Sequence, residues 1–327
     1  METYIAIDNV CAWPNLTLLP DGTIAAVLFN KPNHSLAEGE VECWVSSDGG
    51  RLWRKQGVPV SSQPGDNRMN HAAGLAHNGD LIVLCSGWTP AQPPRKVLEP
   101  VVCRSRDGGC TWVQEGDVGK PEQSASMIPY GDIVRGGDGL LGASFYSYNE
   151  SNGQMFNYFL RSYDDGRTWV EPVRIGQKND GTPIPGNETA LLCIDGKRLL
   201  AAGRTKKERN LELYASEDFG KTWTHQGALT LGNQHPAHLL MLEDGRLLLT
   251  YGMRNKGFYG IGARVSRDLG ASWDFPIHLV RFEIATDGGY PSSVQLDDGT
   301  IVTAYYSDKV PFHHRYHMGV ARWKPDM

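Results

Sequence analysis

Short apolar runs alternate with polar turn clusters along the whole chain. Six pairs of these runs flank an Asx-Gly dipeptide: Asp21-Gly22, Asn78-Gly79, Asp138-Gly139, Asp195-Gly196, Asp244-Gly245 and Asp298-Gly299. Stretches such as NLTLLPDGTIAAVLF, TALLCIDGKRLLAAGR and AHLLMLEDGRLLLTYG read as two strands joined by a tight turn, because Asx-Gly accepts the positive φ that a short hairpin loop needs.

A second motif, S-x-D-x-G-x-x-W, interleaves with the first. It occurs at Ser46–Trp53, Ser105–Trp112, Ser162–Trp169, Ser216–Trp223 and Ser266–Trp273. Its aspartates, at 48, 107, 164, 218 and 268, are separated by 59, 57, 54 and 50 residues, which is the signature of a repeat architecture. Within each box the Ser and Asp side chains accept hydrogen bonds from nearby backbone N–H groups, the Gly supplies a positive φ, and the Trp anchors the turn in a core. Five catalytic aspartates would need five sites, so the boxes read as structural.

Each unit therefore runs strand, Asx-Gly turn, strand, variable loop, strand, box, strand. Six such units predict an all-β fold, a six-bladed β-propeller of four-stranded antiparallel blades with five boxes. The last unit, SSVQLDDGTIVTAYYS with HMGVARW, has no box after it. Thr3–Asn9 is expected to supply its outer strand, closing one domain that spans 1–327.

The bulk composition narrows the partners. Net charge is −5, and the 32 basic residues form no run, which argues against nucleic acid. No apolar stretch is long enough to span a membrane as a helix. The start, METYIAIDNV, lacks a basic segment followed by an apolar one, so the expected location is cytoplasmic. The six Cys lie mostly in apolar runs with no CxxC pair and read as free buried thiols. His313-His314-x-x-His317 spans a loop and a strand start and reads as structural rather than as a metal site. No metal or cofactor is implied.

Strand direction places the chemistry. Boxes and Asx-Gly turns share one face, so the starts of the innermost strands ring a pocket on the other. Those starts read CAWPN (11–15), RMNHA (68–72), the less clear QSASMIPYGD (123–132), GNETA (186–190), QHPAH (234–238) and GGYPS (288–292). Neighbouring strand ends read FNKPNH (29–34), GRTKKER (203–209) and GMRNKGFY (252–259). Aromatic rings, His, Arg and carboxylates gathered in this way suit a sugar.

With these motifs the chain resembles the sialidase (neuraminidase) superfamily of Asp-box six-bladed propellers, over essentially its whole length at the repeat level. That family has a Glu at the start of blade 4 and an Arg 16 residues later, as Glu188 and Arg204 stand here. Its nucleophilic Tyr precedes the last Asp-Gly turn by eight residues, as Tyr290 precedes Asp298. Its acid/base Asp lies before the first box, where this chain has Glu40, and a further Arg corresponds to Arg254. The family's opening Arg-Ile-Pro reads Ala12-Trp13-Pro14, so one clamping Arg is absent, and Arg68 is the candidate to replace it.

The resemblance implies a retaining exo-glycosidase acting on a terminal sugar, and the missing Arg points to a sugar related to sialic acid, either another acidic one or a neutral one stacked on Trp13. Tyr290 would be the nucleophile, Glu188 its base and Glu40 the acid/base. Arg204 and Arg254 would hold an acidic group, with Trp13, His71 and His235 against the sugar. A lyase cleaving a uronate polysaccharide and a non-catalytic glycan-binding propeller are the competing readings.

Overall fold

The computed structural model describes residues 1–325 except 35, 90–94, 123, 150, 151, 284–286, 311 and 312. Residue 123, in the stretch expected to open the third unit, thus lies outside the described residues. Among the described residues there is no helix.

β1 (Glu2–Asp8) opens the chain. The first antiparallel set is β2 (Asn15–Leu18), β3 (Ile24–Phe29), β4 (Val41–Ser46) and β5 (Arg54–Val60). The second is β6 (Asn67–Leu75), β7 (Leu81–Trp88), β8 (Val97–Ser105) and β9 (Val113–Gln114). After the short β10 (Asp117–Val118) comes the third, β11 (Ile128–Arg135), β12 (Leu141–Tyr148), β13 (Met155–Ser162) and β14 (Thr168–Arg174). The fourth is β15 (Gly186–Cys193), β16 (Leu199–Thr205), β17 (Leu211–Ser216) and β18 (Thr224–Ala228). The fifth is β19 (Gln234–Met241), β20 (Leu247–Met253), β21 (Gly260–Ser266) and β22 (Ile277–Arg281). The last is β23 (Gly288–Gln295), β24 (Ile301–Ser307) and β25 (His317–Trp323), with β1 antiparallel against β25 from Glu2–Arg322 to Asp8–His317.

The sequence suggests six separate sheets, and here the structure differs. Four sheets have four strands, but the second and third sets fuse into one of nine, β10-β14-β13-β12-β11-β6-β7-β8-β9. The seam is a short parallel bridge, Gly131 and Asp132 of β11 against Ala72 and Ala73 of β6. Its cause is local. Gly131 has φ +76°, and β11 leaves register with β12 between Tyr130 and Val134, which frees that backbone for β6. The first strands of the sets, β2, β6, β11, β15, β19 and β23, touch in that cyclic order, and β23 returns to β2.

The boxes are hydrogen-bonded turns. In the first, Ser46 Oγ donates to Asp48 Oδ1 at 2.8 Å and accepts from Gly50 N, Asp48 Oδ1 accepts from Leu52 N, and Trp53 Nε1 donates to Gly50 O. The serines at 105, 162, 216 and 266 repeat the pattern. All five aspartates stand at the rim of the fold and none lines the cavity described next. All six cysteines are free thiols, and four are buried.

Candidate active site

At the end of the ring opposite the boxes, the first strands converge on a cavity of about 270 Å3. Five of the six leave register with the next strand there. The breaks fall at Met69 of β6, Gly131–Ile133 of β11, Asn187–Glu188 of β15, His235–Pro236 of β19 and Tyr290–Pro291 of β23. A bulge of this kind re-aims a side chain.

Two of these breaks bring the central pair together. Tyr290 Oη donates to Glu188 Oε1 at 2.8 Å, across 102 residues of chain. Arg204 Nη1 donates to the other carboxylate oxygen, Oε2, at 2.7 Å. Tyr290 and Glu188 are both buried and both line the cavity. Burial pushes the Tyr290 phenol well above its ordinary value and the Glu188 carboxylate adds to this, while Arg204 and Arg254 pull the other way. At neutral pH the phenol keeps its proton and aims it at Glu188. The Arg254 guanidinium stands 5.8 Å from the Tyr290 ring centroid, and its Nη2 donates to the Gly288 carbonyl.

Of the residues singled out by sequence, Trp13, His71, Glu188 and Tyr290 line the cavity. Arg204, Arg254 and His235 stand behind that lining. His235 is buried, and burial together with Arg204, Arg254 and Arg209 depresses its imidazole to about 2, so it is neutral. The His71 ring is likewise held neutral by burial, at about 4, with Nδ1 against the Met69 carbonyl.

Glu40 and Arg68 are not part of the lining. Asn30 clasps the Glu40 backbone on both sides, Asn30 N to Glu40 O and Glu40 N to Asn30 Oδ1, each 3.1 Å, which fixes that edge as the entry to β4. Its acidic neighbours are also engaged: Glu38 accepts from Gly65 N, and Glu42 accepts from Asn30, Trp44 and Lys55. Arg68 donates to the Glu99 carbonyl at 3.0 Å, and Ala12, where the family's arginine is missing, is fully buried.

His34, at the end of the FNKPNH stretch, does line the cavity. Its Nδ1 lies 2.7 Å from Asp287 Oδ2. Burial alone would raise the Asp287 carboxyl, but hydrogen bonds from His34, Tyr316 and Tyr306 bring it down to about 2. Asp287 is therefore a carboxylate, and His34 donates its Nδ1 proton to it. The Trp13 indole bridges the two halves of the site, with ring centroids 4.9 Å from His34 and 5.9 Å from Tyr290. The sequence marks the right segment for His34, but spacing alone does not say which polar side chain of that loop turns inward.

Repeated Asp-box turns on an all-β ring, with a Tyr–Glu–Arg cluster at its cavity, are the features that place the chain among repeat-built β proteins. The BNR repeat-like domain matches residues 22–303, and the chain belongs to that family. Among solved structures it is similar to a protein of unknown function from Dyadobacter fermentans, at 23% identity over 98% of this chain and 97% of that one, with TM-score 0.82. A Hadza microbial sialidase is similar at 17% identity over 98% of this chain and 68% of that one, TM-score 0.74. The intramolecular trans-sialidase from Ruminococcus gnavus is similar at 14% identity over 98% and 94%, TM-score 0.70. No curated protein matches the chain.

Proposed function

We propose that the six sets close as a six-bladed propeller and that the chain is a retaining exo-glycosidase removing one terminal sugar from a glycan. The observation that carries this reading is the Tyr290–Glu188–Arg204 chain of hydrogen bonds at the cavity. A Tyr nucleophile is the sialidase exception to the usual pair of carboxylates. A phenol of raised pKa needs a base in contact, and Glu188 is that base.

Tyr290 Oη attacks the anomeric carbon while its proton passes to Glu188 Oε1. The bond to the leaving oxygen breaks, and that oxygen takes a proton from His34. Water then attacks the anomeric carbon from the side the leaving group vacated and gives its proton back to His34. The Tyr–sugar bond breaks, and the phenolic oxygen recovers its proton from Glu188. Two displacements retain configuration. Asp287 holds His34 by Nδ1, which leaves Nε2 for the transfer. The cavity is slightly below the usual span of about 300–1,000 Å3 for small-molecule pockets, which fits a single sugar ring.

The test is a screen of purified protein against fluorogenic α- and β-glycosides, sialosides and uronides included, with Tyr290→Phe alongside. Release by the parent and loss of at least a thousandfold in Tyr290→Phe are expected. A near-ultraviolet unsaturated uronide as product would replace this reading with a lyase.

A further inference from the structure

The cavity holds a second polar cluster that the Tyr290–Glu188 chemistry does not use. Asp132, freed from β12 by the break in β11, reaches across the ring to two strands that are not its neighbours. Its Oδ1 accepts from Asn15 Nδ2 of β2 at 2.7 Å, and its Oδ2 lies 2.9 Å from His238 Nε2 of β19. Asn15, Asp132 and His238 line the same cavity as Tyr290.

Asp132 occupies one donor on each partner and leaves each with one unused atom. Asn15 Oδ1 and His238 Nδ1 have no hydrogen-bond partner among the described residues, nor has Trp13 Nε1. Asn15 is 4% exposed and His238 5%. Buried polar atoms left unpaired cost free energy, and these three on side chains of one cavity, with His71 Nε2 a fourth, point to a ligand that pairs with them.

The chemistry of the three atoms selects that ligand. One of the two Asn15 amide N–H groups goes to Asp132, and its carbonyl oxygen remains as an unpaired acceptor. The His238 Nε2 is engaged in the same way, which leaves Nδ1 as its unpaired ring nitrogen. Trp13 offers an N–H donor. A sugar hydroxyl both donates and accepts and so matches the set. A ligand carboxylate only accepts; it would meet the Asn15 carbonyl oxygen beside the carboxylates of Asp132 and Glu188. The guanidinium groups of Arg204 and Arg254 are engaged with Glu188 and the Gly288 carbonyl and do not line this wall, and Arg95, which does line the cavity, stands over the Trp88 ring, 5.6 Å from its centroid.

We propose that Asn15, His238 and Trp13, organised by Asp132, form the subsite that reads the hydroxyls of the sugar, and that this sugar is neutral rather than acidic. The inference rests on the glycosidase reading for the purpose of the site, and on the cavity geometry for what binds.

The experiment measures binding, apart from turnover. The full chain is titrated calorimetrically, and by saturation-transfer NMR, with neutral hexoses, 6-deoxyhexoses and pentoses, and with sialic and uronic acids. At least one neutral monosaccharide is expected to bind, and each acid at least tenfold more weakly. Trp13→Phe keeps the ring and removes the N–H, and Asn15→Leu removes the carbonyl; each is expected to weaken the neutral sugar roughly tenfold. His238→Gln, which offers both an amide donor for Asp132 and an acceptor, retains more affinity than His238→Leu. A melting curve for each variant reports folding, and Trp13→Phe carries the test if Asn15→Leu does not fold.

An acid that outbinds every neutral sugar, neutral-sugar binding indifferent to Trp13→Phe, or no neutral sugar bound at tens of millimolar each overturns the proposal. Neutral-sugar binding through these residues without release from any glycoside of that sugar sinks the glycosidase reading alone. Tyr290-dependent release from acidic glycosides only sinks this proposal alone.

Discussion

Tyr290 has φ +52°, a left-handed conformation that costs a residue with a side chain about 1–3 kcal/mol. Such strain persists where the surroundings over-determine it. Here Glu188 holds the hydroxyl, Arg254 faces the ring, and Trp13, Tyr130 and Tyr306 pack around it. Two substitutions separate chemistry from support. Tyr290→Phe keeps the ring contacts and leaves Glu188 on Arg204, so its stability is expected within about 1 kcal/mol of the parent by urea unfolding. Glu188→Ala leaves the mostly buried Arg204 without its carboxylate, so it is expected to cost about 2–3 kcal/mol more than Tyr290→Phe. Equal stability of the two would show that Glu188 does not anchor Arg204. His34 is testable through the leaving group. His34→Ala is expected to slow release of a sugar or alkyl alcohol by about 10²–10⁴-fold. Release of an acidic phenol, which needs no proton, should change by less than about tenfold. Equal losses on both leaving groups would remove His34 as the acid.

At the scale of the element, the six hairpins and five boxes were legible because each rests on local chemistry: Asx-Gly for the turn, Ser and Asp for the loop, Trp for the anchor. The site was half legible. Tyr290, Glu188, Trp13 and His71 follow from the starts of innermost strands, and these do line the cavity. What local pattern does not reveal is the register break. At Gly131 it joins two strand sets through β6 and sends Asp132 across the ring, a contact between residues 117 apart in sequence. The same limit applies to Glu40 and His34, of which the second lines the cavity. Both lie between β3 and β4, and the Asn30 clasp that fixes the Glu40 backbone is a tertiary detail. The boxes give the cleanest element-level prediction. Ser162 Oγ is buried and joins Asp164 to the Gly166 backbone, so Ser162→Ala leaves the Gly166 N–H unpaired, while Asp164 keeps its bonds from Arg167 and Thr168. A loss of about 1–3 kcal/mol in chemical unfolding is expected, with glycoside turnover unchanged. A turnover defect without a stability loss would assign the box a functional part.

For the whole molecule, the boxes act together through protons. The carboxyls of Asp48, Asp107, Asp164, Asp218 and Asp268 are all depressed. For Asp107, hydrogen bonds from the Thr111 hydroxyl and N–H bring the value to about 2. A folded value below the unfolded one, about 3.9 for Asp, gives stability that is present above pH 4 and is lost as pH falls towards 2. The melting temperature is therefore expected to fall through that window, and less steeply in Asp107→Asn.

Closure of the ring depends on a different contact, the pairing of the first strand with the last. β1 covers the edge of β25. It buries Ile7 and places Glu2 2.7 Å from Arg322, while Arg322 Nε donates to the Gly49 carbonyl in the first box at 2.8 Å. The Tyr4 hydroxyl donates to the Gly50 carbonyl of that same box, and Asp8 takes His313 and Arg315. β1 thus ties the last sheet to the first box through Tyr4 near its start, while Asp8 at its end holds the loop between β24 and β25. Removing residues 1–9 would strip one ladder, expose the β25 edge and leave Arg322 without its carboxylate. A fall in the melting midpoint on the order of 10 °C is expected, and the peptide METYIAIDN added in trans should restore part of it. An unchanged midpoint would mean that the ring is held by its inner strands alone, with β1 no more than an edge cover.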